Sequence, residues 1–224
     1  MRVLAIDTCG PVIGVALLVD AHVAVRTDRV TRGAETRLMP WALELAAEAG
    51  VALSDLDGVA AAVGPGAFTG LRVGLAAAAG VALAAGVPIW PGSSLVSRAV
   101  GTSAEQPVLT MLDARKGRVY AALVGPDGTV LAGPGDLEPA AALALVDGPF
   151  VATGEGALAY REQVEAAGGT IVAQAADPCV DALARLGARG LRAGQGVAAE
   201  AVEPVYLRAP DAKPPKDLGG IRPR

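Results

Sequence analysis

Three short turns carry the residue types from which an anion or nucleotide site could be built. Asp7-Thr8-Cys9-Gly10, Asp113-Ala114-Arg115-Lys116-Gly117 and Gly154-Glu155-Gly156-Ala157 each follow a short apolar run. A carboxylate at a strand end can hold a magnesium ion through water, a hydroxyl and backbone N–H groups can donate to phosphate, and glycines let an adenosine lie against the backbone. On this reading Asp7, Thr8, Gly10, Gly154 and Gly156 are candidate nucleotide contacts. The middle turn fits less well, because Ala114 and Arg115 put side chains where close approach is wanted.

A fourth stretch, Gly64-Pro65-Gly66-Ala67-Phe68-Thr69-Gly70-Leu71-Arg72-Val73-Gly74, lies between a strand-like run and an alanine-rich segment. Leu71 to Ala85 reads as a helix that the Thr69 hydroxyl would cap. A helix start offers unpaired N–H groups and partial positive charge to an anion, which adds Gly64, Gly66 and Thr69 to the candidate contacts. The spacing matches neither the dinucleotide fingerprint nor the P-loop. A tight turn that packs the helix on a sheet is therefore favoured over a phosphate cradle.

Other chemistry finds less support. His22 is the sole histidine, and Cys9 and Cys179 have no local ligand partner, so no metal site is expected. A peptidase nucleophile among Ser93, Ser94, Ser97 and Cys9 would need a base, and His22 reads instead as a solvated hairpin residue. The formal charge of −4 argues against coating nucleic acid by bulk charge. Two cysteines and no cleavable leader point to the cytoplasm. The apolar span from Val73 to Trp90 is broken at Gly86-Val87-Pro88, leaving about 14 helical residues against the roughly 20 that cross a membrane. No membrane partner is expected.

The elements that would position these turns come in two similar sets. Val3 to Cys9, Val12 to Val19 and Val23 to Val30 read as a strand meander, followed by an amphipathic helix from Thr36 to Gly50 with Pro40 near its first turn. Gly58 to Val63 is a strand, Leu71 to Ala85 a helix, Val87 to Trp90 a strand and Ser93 to Val100 a short helix. After the irregular Gly101 to Pro107, a second meander (Val108 to Asp113, Arg118 to Val124, Thr129 to Ala132) leads into a helix from Pro139 to Val146. A strand from Pro149 to Thr153 follows, then a helix from Ala157 to Ala167 and a last one capped by Asp177. The repeat predicts an α/β protein of actin-like ATPase (ASKHA, ribonuclease H-like) architecture, with two related subdomains, each a mixed sheet flanked by helices. Their spans would be 1–103 and 104–203, followed by a basic, Pro-rich tail over 204–224. From Arg208 onward that tail carries net charge +3, leaving −7 for the rest, and it reads as a solvated end. The helix from Leu71 is apolar all round but for Arg72, so it needs cover either inside its own domain or from a partner's helix.

Four segments together resemble the TsaB (YeaZ) family: Leu4-Ala5-Ile6-Asp7-Thr8, the glycine motif from Gly64 to Gly74, Leu112 to Tyr120, and Pro204-Val205-Tyr206-Leu207-Arg208. The resemblance covers nearly the whole chain in order, and Asp113-Ala114-Arg115 separates it from the paralogous TsaD family. It implies a non-catalytic scaffold and activating subunit of the bacterial system that makes threonylcarbamoyladenosine (t6A) beside the tRNA anticodon. It implies TsaD and the ATPase TsaE as partners, a homodimer when TsaD is absent, and contact with tRNA only through the complex. No cofactor would be bound tightly, with ATP or ADP entering at the level of the complex. Carried over, the partner surface is Leu38, Trp41, Leu45 and Glu48 on the helix over 36–50, and Leu71, Leu75, Ala78 and Ala82 on that over 70–85. The alternative is a stand-alone actin-fold ATPase or a degenerate glycoprotease-like peptidase.

Overall fold

The computed structural model describes residues 1–30, 33–175 and 177–208. The tail beyond Arg208 lies outside the described residues. The first half runs β1 (Arg2–Asp7), β2 (Val12–Val19), β3 (His22–Arg29), α1 (Glu35–Glu48), β4 (Gly58–Gly64), α2 (Phe68–Ala85), β5 (Ile89–Ser93) and α3 (Ser94–Gly101). The second runs β6 (Val108–Asp113), β7 (Val119–Val124), β8 (Val130–Leu137), α4 (Pro139–Leu143), β9 (Phe150–Thr153), α5 (Glu155–Ala159), α6 (Arg161–Ala166), β10 (Gly169–Ile171) and α7 (Val180–Arg192).

The duplication is visible in the sheets. Strand order is β3-β2-β1-β4-β5 in one and β8-β7-β6-β9-β10 in the other. In each, the meander is antiparallel and the remaining strands add in parallel. In β1, Leu4 and Ile6 face one core while Val3 and Ala5 face another. Cover on both faces explains why these strands read as continuous apolar runs rather than as alternating ones.

The layer between the sheets departs from the division expected at residue 103. Helices α1 and α2 cover the outer face of the first sheet, but its inner face is covered by α7, through Val180, Leu183, Ala184 and Ala188. Conversely α3, from the first half of the chain, sets Leu95 and Ala99 against the second sheet. The two helices pack on each other, so each half supplies a helix to the other.

Several boundaries differ for local reasons. Helix α2 is 18 residues rather than about 14, because it starts at Phe68 with Ala67 as its N-cap. Thr69 lies inside the first turn and caps nothing. By length and composition α2 could cross a membrane, but it is packed against β4, β1 and α1. Pro40 sits in the second turn of α1 on the exposed side, where a missing backbone bond is least costly. The expected helix over 157–167 is two short ones, broken at Tyr160 (φ −110°, ψ 33°). Helix α7 is capped by Cys179 rather than by Asp177.

Candidate functional site

The turns singled out from sequence do meet. Thr8, Gly10, Gly66 and Thr69 line one cavity of about 1090 Å³, together with Asp113 and Ala114 from the other half. Asp7, Gly64, Gly154 and Gly156 do not reach it and are buried behind its wall.

Asp7 illustrates why. It is fully buried, and both carboxylate oxygens are engaged: Oδ1 accepts the Cys9 N–H (2.8 Å) and Oδ2 accepts Arg98 Nη1 (3.0 Å). Arg98 is equally buried on α3 and also donates to the Ser94 carbonyl (2.9 Å). Burial pulls its pKa down, but Asp7 and then Glu155 more than restore it, so the guanidinium stays charged. A carboxylate paired in this way does not fit the role of holding a hydrated magnesium ion. Glu155, at the start of α5, edges the same cluster from the other half, with Oε2 buried and without a hydrogen-bond partner. Its burial raises its pKa, against the pull of Arg98.

The nucleophile candidates are likewise engaged. Ser93 caps α3, Ser94 Oγ donates to the Pro65 carbonyl (2.6 Å), and Ser97 Oγ donates to the Ser94 carbonyl (3.2 Å). Burial and the neighbouring Asp7 push the Cys9 thiol well above its ordinary pKa, so it is held as the weakly nucleophilic thiol. Among the described residues no group of three or more His, Cys, Asp or Glu is gathered as a ligand set.

The glycine motif is a packing device. A Cβ on Gly66 would lie 2.4 Å from the Cys9 carbonyl oxygen, one on Gly70 2.2 Å from that of Thr8, and one on Gly74 2.1 Å from Thr8 Oγ1. Spaced four apart, these positions let the start of α2 press on the turn that follows β1. The Thr8 hydroxyl locks the contact by donating to the Gly70 carbonyl (2.7 Å). In the second half Gly154 (φ 97°) and Gly156 approach the Met111 carbonyl in the same way. Gly64, Gly66, Gly154 and Gly156, expected to admit a ligand, admit the chain's own backbone, and Gly10 faces the Glu155 side chain.

Across the cavity, the Asp113-Ala114-Arg115 turn is closed on itself. Asp113 Oδ1 accepts the Arg115 N–H (2.8 Å), and Arg115 and Lys116 take φ of 61° and 56°. The Ala114 carbonyl accepts from Arg208 Nη1 (2.7 Å), while Arg208 Nε and Nη2 form a forked pair with Asp136 (2.7 and 2.9 Å), which also holds Arg118. Hydrogen bonds from Arg208 foremost lower the Asp136 pKa. A carboxyl depressed in the folded state stabilises above its unfolded pKa of about 3.9 and loses that contribution as pH falls through the lower folded value. The Asp136→Asn variant is therefore expected to show a shallower loss of stability below about pH 4 than the parent in urea titrations across pH.

The helices named as a partner surface need correction. Leu38, Leu45, Leu71, Leu75, Ala78 and Ala82 are buried in the chain's own core. Only Trp41, half-buried, and Glu48, exposed and paired with Arg26, reach the surface. The first sheet lies beneath both helices and claims their large apolar positions. What α2 does expose is Phe68, Thr69, Arg72, Ala76, Gly80, Leu83 and Ala84; α1 exposes Leu43 and Ala47 among charged and polar residues. Sequence reasoning also missed Arg98. Its signal was a lone charge spaced three and one from Leu95 and Ala99, on the apolar face of a short helix.

Residues 28–213 match the family model described as "TsaD: tRNA N6-adenosine threonylcarbamoyltransferase". The chain is 31% identical to the Escherichia coli K12 protein named "tRNA threonylcarbamoyladenosine biosynthesis protein TsaB", over 93% of this chain and 95% of that one. It is 35% identical to an uncharacterized protein of Mycobacterium tuberculosis, over 95% of this chain and 94% of the other. Among solved structures, "YeaZ from Pseudomonas aeruginosa" superposes with a TM-score of 0.79 at 29% identity, covering 92% of this chain and 99% of that one.

Proposed function

The chain belongs to the TsaB (YeaZ) family, and on that premise we propose that it serves tRNA threonylcarbamoyladenosine synthesis as a non-catalytic scaffold that pairs with TsaD. The observation that carries this reading is the outer face of α2. Beyond the exposed Arg72, Ala76, Gly80, Leu83 and Ala84 continue an exposed stripe without further charge, and its three small residues let another helix approach closely, while the opposite face is held in the core. The cleft supports it from the other side, since Asp7 and the serines are engaged within the chain. In this reading TsaE joins the pair, tRNA is met through the complex, and any ATP or ADP enters at that level. Two copies of this chain would share the same helices when TsaD is absent, and the work is cytoplasmic.

The test mixes the purified chain with its cognate TsaD and follows the heterodimer by size exclusion. A Cβ on Gly80 meets nothing within 4 Å, so Gly80→Arg is expected to leave stability within about 0.5 kcal/mol and to weaken pairing at least tenfold, about 1.4 kcal/mol. Ala78→Glu, by contrast, buries an unpaired charge in the core and should unfold the chain and abolish pairing together. Pairing by Gly80→Arg at parental strength would remove α2 from the contact. If the parent itself forms no heterodimer, the scaffold reading falls.

A further inference from the structure

Residues Val202–Arg208 cross from one half of the molecule to the other along the mouth of the cavity. On the first half, the Val205 N–H donates to the Val63 carbonyl (2.7 Å) at the end of β4. The Tyr206 ring lies 5.3 Å from that of Phe68, and Arg72 Nε donates to the Tyr206 hydroxyl (3.1 Å). The Arg72 guanidinium is stacked 3.9 Å from the Phe68 ring centroid. On the second half, Arg208 grips Asp136 with two hydrogen bonds, reaches the Ala114 carbonyl, and lies over the Tyr120 ring (5.8 Å). Val205, Tyr206, Leu207 and Arg208 all line the cavity.

The ends of this crossing differ in kind. The first-half contacts are one backbone bond, the Arg72–Tyr206 hydrogen bond, Val202 against the first core and an exposed aromatic cluster, with Phe68 and Tyr206 each more than two-fifths exposed. The second-half contact is a planar, forked guanidinium–carboxylate pair in which both side chains are largely covered. Such a pair is directional and has no equivalent geometry for a lysine. We propose that Val202–Arg208 is a clasp: anchored at Asp136 by Arg208 and at Phe68 by Tyr206, it fixes the spacing of the two halves, and its release opens the cavity. The helices α3 and α7, swapped between the halves, remain packed when it opens and serve as the hinge.

Hydrogen–deuterium exchange on the full chain tests this, with the parent compared with Arg208→Ala, Arg208→Lys and Tyr206→Ala. In Arg208→Ala, amides of 202–208 should exchange at least tenfold faster. Amides of 154–158, the cap and first turn of α5 from which Glu155 and Leu158 line the cavity, should accelerate with them, while those of β1, β4 and β6 keep their protection. Arg208→Lys should fall between parent and alanine variant, and Tyr206→Ala should release the first-half end with the same effect on 154–158. Faster exchange confined to 202–208 would make the segment a tethered end rather than a clasp and overturn the proposal. So would unchanged exchange in Arg208→Ala, or acceleration spread evenly over the core strands. None of these outcomes depends on TsaD, so the clasp and the scaffold reading stand or fall separately.

Discussion

Replacing Arg98 with alanine is expected to lower the unfolding free energy by about 3–5 kcal/mol, the range for removing one partner of a buried ion pair. Arg98 and Asp7 have no measurable exposure, and the guanidinium joins α3 to the end of β1. Its loss leaves the buried Asp7 with one oxygen bonded to the Cys9 N–H and the other without its cation. Water cannot easily replace the charge, so the cost is that of the orphaned carboxylate rather than the worth of the pair. Equilibrium urea unfolding near neutral pH reads it directly. Because the penalty lies in the imbalance, the double variant Arg98→Met with Asp7→Asn should recover part of it. An Arg98→Ala protein within about 1 kcal/mol of the parent would show that solvent reaches the cluster and that the pair is not what joins the elements.

The same residues show what could be read from the chain beforehand. The meanders, the glycine turn and the duplication were legible because each rests on local signals: apolar run length, turn residues and helical periodicity. The swap of α3 and α7 was not, since their apolar faces say that they are covered but not by which sheet. The glycines carried an ambiguous message. Close approach is what Gly70 and Gly74 need, and whether the approaching group is a phosphate or the Thr8 backbone depends on a contact 62 residues away. The partner surface failed for a related reason: α2 is apolar on nearly every side, so periodicity could not say which side the sheet would take. Arg98 was the readable residue that went unread.

Gly74→Ala and Gly70→Ala separate these two meanings of the motif by stability alone. At Gly74 the new methyl would meet Thr8 Oγ1 at 2.1 Å, and at Gly70 the Thr8 carbonyl oxygen at 2.2 Å. Overpacking of this kind costs about 1–3 kcal/mol, and displacing Thr8 also breaks its hydrogen bond to the Gly70 carbonyl, about 1 kcal/mol. Against this stands a gain of about 1 kcal/mol from alanine over glycine in a helix, so a net loss of about 1–3 kcal/mol is expected at either site. Gly80→Ala is the internal control. It lies in the same helix with nothing within 4 Å of its Cβ, and should stabilise by about 0.5–1 kcal/mol. The two damaging variants part company in rescue. Thr8→Ala removes the hydroxyl and methyl that oppose Gly74 and should restore much of Gly74→Ala, but it leaves the backbone oxygen that opposes Gly70 and should restore none of Gly70→Ala. If instead both glycine variants match Gly80→Ala in thermal unfolding, α2 does not press on the β1 turn, and the glycines would again call for a ligand to explain them.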